Sequence, residues 1–162
     1  MTSINNTPMT EIIKTEIKEV SNLIDINNDA CEFYRKAEEK VHDQHLKSEF
    51  VGLRQLHSNV VSKLQKEVSV RNGDVDDIEA NETVTGMANR YFGELLAAVT
   101  PDSDARFISR LEEAEDRCLH SMEDVVKNTN ISSELKTVLM NQYDELKKSH
   151  DHMRTLKKIR AA

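Results

Sequence analysis

Apolar residues return every three or four positions over most of this chain, with very few helix breakers to interrupt them. The stretch "FVGLRQLHSNVVSKLQKEV" (residues 50–68) shows the pattern, since Phe50, Leu53, Val60, Val61, Leu64 and Val68 share one helical face. Only four glycines and two prolines occur in 162 residues, so few positions can stop a helix. Charged residues are 31% and aromatic residues 4% of the chain, which suits long amphipathic helices around an aliphatic core. No period-two alternation bounded by turn residues occurs, and no strand is expected.

The breaks divide the chain. Residues 1–9 read as a polar, disordered leader, and residues 10–160 as one helical domain. A first helix is predicted from about Thr10 to His42, with Ile13, Ile17, Val20, Ile24, Tyr34 and Val41 in its stripe. "HDQH" (42–45) supplies a short turn in which Asp43 can cap a second helix, Gln44 to Val70, ended at Asn72-Gly73. An acidic connector, "GDVDDIEANE", precedes a shorter amphipathic segment from Glu82 to Val99. "TPDSD" breaks the chain again before helices from Ala105 to Lys127 and from Ser132 to Ile159. Four long helices with short turns at 43–45 and 128–131 make two antiparallel hairpins. The residues between the hairpins are too many for a tight turn. They predict a long crossover that contains a shorter fifth helix, which is the ferritin-like four-helix-bundle topology.

Several polar residues fall on the inward faces. At about 100° per residue, His57 lies in the centre of its apolar arc, and Glu115 stands amid Ile108, Leu111, Cys118 and Met122. Glu112 and His150 lie at the margins of their arcs, Gln142 lies inside one, and the first helix contributes Asn27, Tyr34 and Glu38. An unpaired charge in a core is costly, so an inward carboxylate must be neutral, paired, hydrogen-bonded or metal-bound. Counted from the turns, His57 is level with Asn27 to Cys31 and Glu115 with Gln142 to Leu146, so His57 and Glu115 are expected to meet near mid-bundle. His150 is expected a turn higher, beside Leu111 and Glu112.

Two readings fit. The first is a polar cluster of His57 and Glu115 with Asn27, Tyr34 or Gln142, which sets helix register. The second is a metal site of His57, Glu115, His150 and Glu112, holding iron or manganese. Ferritin-like di-iron centres draw Glu-x-x-His from two of their helices. Here Arg54 precedes His57 by three and Lys147 precedes His150 by three, so that pattern is incomplete and no catalytic residue is assigned. His42 and His45 are a weaker surface pair. Cys31 and Cys118 read as buried, reduced thiols.

"LIDINNDACEFYRKAEEKV", "AAVTPDSDA", "EEAEDRCLHSMED" and "ELKKSHDHMRTLK" together resemble an uncharacterised ferritin-like family of small bacterial four-helix-bundle proteins, a domain of unknown function found mainly in Gram-negative bacteria. The resemblance covers about residues 20–158. It implies a cytoplasmic bundle with no established activity; ferritin-like ligands map at best onto His57, Glu115 and His150.

A net charge of −7 argues against general nucleic-acid binding, although Lys147 to Arg160 is locally basic. No stretch approaches a membrane span, and no secretory signal is visible at the N-terminus. The expected role is non-catalytic: a structural, stress-associated or partner-binding bundle, assembled as a homodimer or with a protein partner.

Overall fold

The computed structural model of the chain describes residues 6–71 and 103–161. They form four helices: α1 (Asn6–Lys40), α2 (Gln44–Val70), α3 (Ser103–Lys127) and α4 (Ser133–Ala161). No strand occurs among the described residues. The predicted acidic connector and the 82–99 segment lie outside them, as do residues 1–5 of the predicted leader.

Helix α1 begins four residues earlier than its apolar stripe predicts. Thr7-Pro8 falls in its first turn, where proline is tolerated because the first N–H groups have no intrahelical partner. It ends at Lys40, and Asp43 then caps α2. Its side chain accepts from the backbone N–H groups of His45 at 2.8 Å and Leu46 at 3.1 Å. Removing this cap frees both donors, so Asp43→Ala is expected to lower Tm by about 2–4 °C in a thermal melt, with the helical content retained.

The helices meet along four seams. α1 packs on α2, α3 packs on α4, α1 also packs on α3, and α2 on α4. Hydrogen bonds at the two ends give the directions. At one end the Asp104 carboxylate of α3 accepts from the backbone N–H groups of His42 and Asp43 at 3.0 and 3.2 Å. Arg160 of α4 also pairs with Asp43 there. At the other end Glu16 of α1 accepts from the Ser132 backbone N–H and from Arg71 Nε, both at 2.6 Å. α1 and α4 therefore run one way, and α2 and α3 the other. The order is up-down-down-up. Arg71 and Asp104, which stand on either side of the undescribed stretch, lie at opposite ends of the bundle.

The apolar interior falls into two clusters. Leu23, Ile24, Leu64, Met122, Leu135 and Leu139 pack toward the Glu16 end. Phe33, Phe50, Phe107, Ile108, Leu111 and Met153 pack toward the Asp104 end. Burying each such side chain fully contributes roughly 1.5–3 kcal/mol before chain entropy is counted. Polar side chains lie between the two clusters.

Candidate functional site

Glu115, on α3, is 1% exposed, and three donors converge on its Oε1. Tyr34 Oη of α1 donates at 2.5 Å, Ser149 Oγ of α4 at 2.6 Å, and His57 Nε2 of α2 lies at 2.9 Å. One carboxylate oxygen thus joins the other three helices. The neighbours are themselves fixed. Asn27 Nδ2 donates to the Leu23 carbonyl at 2.8 Å, which turns its Oδ1 toward His57 Nδ1, also at 2.8 Å. Both ring nitrogens of His57 therefore face acceptors. His57 is completely buried, and the three groups that converge on Oε1 are what make the carboxylate tolerable there.

Burial alone pushes the Glu115 carboxyl upward. The charge and hydrogen bond of His57, with the hydroxyls of Ser149 and Tyr34, outweigh it and hold the group below its ordinary value of 4.5. Burial likewise opposes ionisation of Glu16, where hydrogen bonds from Ser132 and Arg71 prevail. Because both carboxyls sit lower in the fold than in the unfolded chain, the stability they contribute is complete above pH 4.5. It is lost as pH falls through their native values. Thermal melts are expected to show Tm dropping steeply below that pH, and Glu115→Gln is expected to flatten the drop. The Tyr34 hydroxyl is pushed well up by burial and by Glu115, so it remains a donor.

The structure brings His57 and Glu115 together, at the level of Asn27, as the turn-counting predicts. Tyr34 joins them. Gln142 is buried on α4 about two turns before Ser149, and its Oε1 has no partner. The other two sequence candidates stand elsewhere. Glu112 pairs with Lys157. His150 Nε2 lies 2.5 Å from Asp116 Oδ1, with its Nδ1 3.1 Å from Asp151. Among the described residues, no three His, Cys, Asp or Glu side chains are grouped to hold a metal ion. Within the cluster itself, Glu115 Oε2 is buried and has no hydrogen-bond partner.

Arg54, which breaks the Glu-x-x-His pattern, points away from the cluster and donates to Glu38 at 2.6 and 3.2 Å. His42 faces Asp104 at 3.4 Å and His45 faces Glu49 at 3.5 Å, each in its own pair. The thiols contact backbone carbonyls, Cys31 that of Arg54 and Cys118 that of Ile26. Burial pushes Cys31 up to about 11 and Cys118 well above the ordinary thiol value, so both stay protonated.

Ser149, Asp116 and Glu16 take part in these networks without having been singled out from the sequence. Ser149 lies three residues after Leu146 and four before Met153, both buried, and that spacing is the signal that places its hydroxyl inside. Glu16 sits at the edge of the Ile13–Val20 stripe, where a solvated residue and a buried end-tie look alike. Asp116 carries no such signal.

Fold and site together define a four-helix bundle whose helices are tied through a buried histidine–carboxylate pair. The family model described as Domain of unknown function (DUF2383) matches residues 15–128. The chain belongs to that family. The match takes in Asn27, Tyr34, His57 and Glu115 and stops at the α3–α4 turn, before Ser149. Comparison with curated proteins and with solved structures finds no match.

Proposed function

We propose that this protein is a non-catalytic, ferritin-like bundle of the bacterial cytoplasm, with a structural, stress-associated or partner-binding role, working as a homodimer or with a protein partner. Its domain spans about residues 10–160, and residues 72–102 form the end-to-end crossover with its shorter helix. Two observations support the topology. The flanking residues stand at opposite ends of the bundle, and α2 runs parallel to α3 across its diagonal.

One observation carries the non-catalytic reading. The single acidic group at the centre of the bundle is occupied by the chain's own donors, one from each of the other helices. A group held in this way sets register, because a slip of any helix would strip it of a partner. Elemental analysis of tag-free protein, followed by anaerobic titration with Fe(II) and Mn(II), tests the reading. Substoichiometric metal and an unchanged Tm are expected. A stoichiometric load would overturn it.

The open Oε2 of Glu115 favours a second reading, a degenerate iron or manganese site. His57 and Glu115 would supply its centre, with Glu112 and His150 recruited only after leaving Lys157 and Asp116. Metal content that survives His57→Ala counts against it.

A further inference from the structure

The outward face of α2 differs from the rest of the surface. Between residues 48 and 62 every exposed side chain is uncharged, in a chain with 31% charged residues. Ser48, Gly52, Gln55, Asn59 and Ser62 line up along it, with Leu56 half-buried beside them. The two charged residues of this stretch are turned to partners inside the chain. Arg54 pairs with Glu38, and Glu49 accepts from His152 Nε2 at 2.7 Å. Exposed positions elsewhere carry charge, as at Glu32 and Arg35 on α1 and at Asp144 and Lys148 on α4.

Gly52 adds a second property. A Cβ built there meets nothing within 4 Å, so the backbone lies open on the surface. Beside it a shallow groove of about 240 Å³ runs toward α4, floored by Leu56 and Val60 and edged by Lys63 and Glu145. Its volume lies below the ~300–1,000 Å³ of small-molecule sites, so it does not suit such a ligand. It does suit a helix.

We infer that a second copy of this chain docks on this face, α2 against α2, in a two-fold dimer. The inference rests on the homodimer reading given above and assigns its interface. Charge selects the occupant. Two chains of net charge −7 repel, and they repel least where neither presents a charge; the cores of protein interfaces are depleted of charged residues in the same way. A two-fold contact must also be self-complementary. Serines, amides and a glycine can face their own copies without a clash of size or sign. The area is adequate too. A helix of 27 residues is ~40 Å long. The uncharged stretch supplies ~22 Å of it and forms the centre of the contact; a strip along the whole helix about 20 Å wide, with the exposed Lys47, Lys63 and Lys66 at its charged rim, reaches the ~800 Å² per partner of a standard interface.

Sedimentation equilibrium of the full chain tests this, together with Gln55→Glu plus Asn59→Glu. Wild type is expected at twice the chain mass of 18.5 kDa. The double variant is expected to dissociate with Kd raised about 100-fold or more, because it sets like charges face to face. Its helicity should match wild type and its Tm at dilution should lie within about 2 °C of it, since both positions are exposed in the single chain and the variant exchanges only the Gln55–Asn59 hydrogen bond for a like-charge i, i+4 pair. In a parallel arm, a short bis-maleimide should cross-link Gln55→Cys into dimers but not Thr137→Cys, which lies on the outer face of α4. A dimer unaffected by the two glutamates overturns the α2 interface and leaves the homodimer reading standing. A wild type that stays monomeric at its highest soluble concentration overturns both.

Discussion

Glu115→Leu is expected to destabilise the protein by about 3–5 kcal/mol, the largest loss predicted for any single polar substitution here. The reason is what it leaves behind. His57 would keep a buried ring whose Nε2 has lost its acceptor, and the hydroxyls of Tyr34 and Ser149 would lose the carboxylate they share between the two apolar clusters. At roughly 2–4 °C per kcal/mol for a chain of this size, Tm should fall by about 10 °C. The double variant His57→Leu plus Glu115→Leu is expected to recover a large part of the loss, because replacing a whole buried ion pair by apolar groups is often neutral while breaking one is not. Denaturant unfolding of the wild type, both single variants and the double variant closes a thermodynamic cycle. A coupling indistinguishable from zero would mean that the two side chains only lie near each other.

The second large effect is expected at the bundle end. Glu16 is 3% exposed and joins three elements: the start of the bundle on α1, the end of α2 through Arg71, and the α3–α4 turn through the Ser132 backbone. Arg71 in turn holds the Glu67 carboxylate at 2.8 Å. Glu16→Ala removes two charge-assisted hydrogen bonds and leaves a half-neutralised guanidinium, at a cost of about 2–3 kcal/mol. The change should be local. Hydrogen exchange is expected to quicken at Ser132 and in the last turn of α2, while amides around His57 and Glu115 keep their protection. Uniform loss of protection would show that the two polar ties unfold as one unit.

The contrast between these ties explains what could be read from the residues alone. Antiparallel helices rise by the same ~1.5 Å per residue, so counting outward from the short turns placed His57 beside Asn27 and Glu115 beside His57. A costly group in the middle of an apolar arc announces itself, as His57 and Glu115 do. His150 shows where counting stops working. Counting set Glu115 level with Gln142 to Leu146, whereas it meets Ser149, so α4 stands about a turn further along than counted and the His150 ring reaches Asp116 instead of Glu112. Ser149, one residue away, takes the interior place; a hydroxyl is cheap enough to bury that nothing in the pattern required it to be inside. Helix starts slipped for a related reason. Met9 and Thr10, near the start of α1, are exposed, so the helix start is not written in apolar periodicity.

The carboxyl of Glu115 offers the most direct measurement of the central claim, that an ionised carboxylate joins four helices in the interior. Its side-chain ¹³C resonance can be followed against pH in protein labelled at glutamate and assigned through Glu115→Gln. An ionised shift is expected to persist below pH 4.5, until the bundle itself unfolds in acid. Titration above that value in the folded protein would mean that burial prevails over His57, Tyr34 and Ser149, and would contradict the claim.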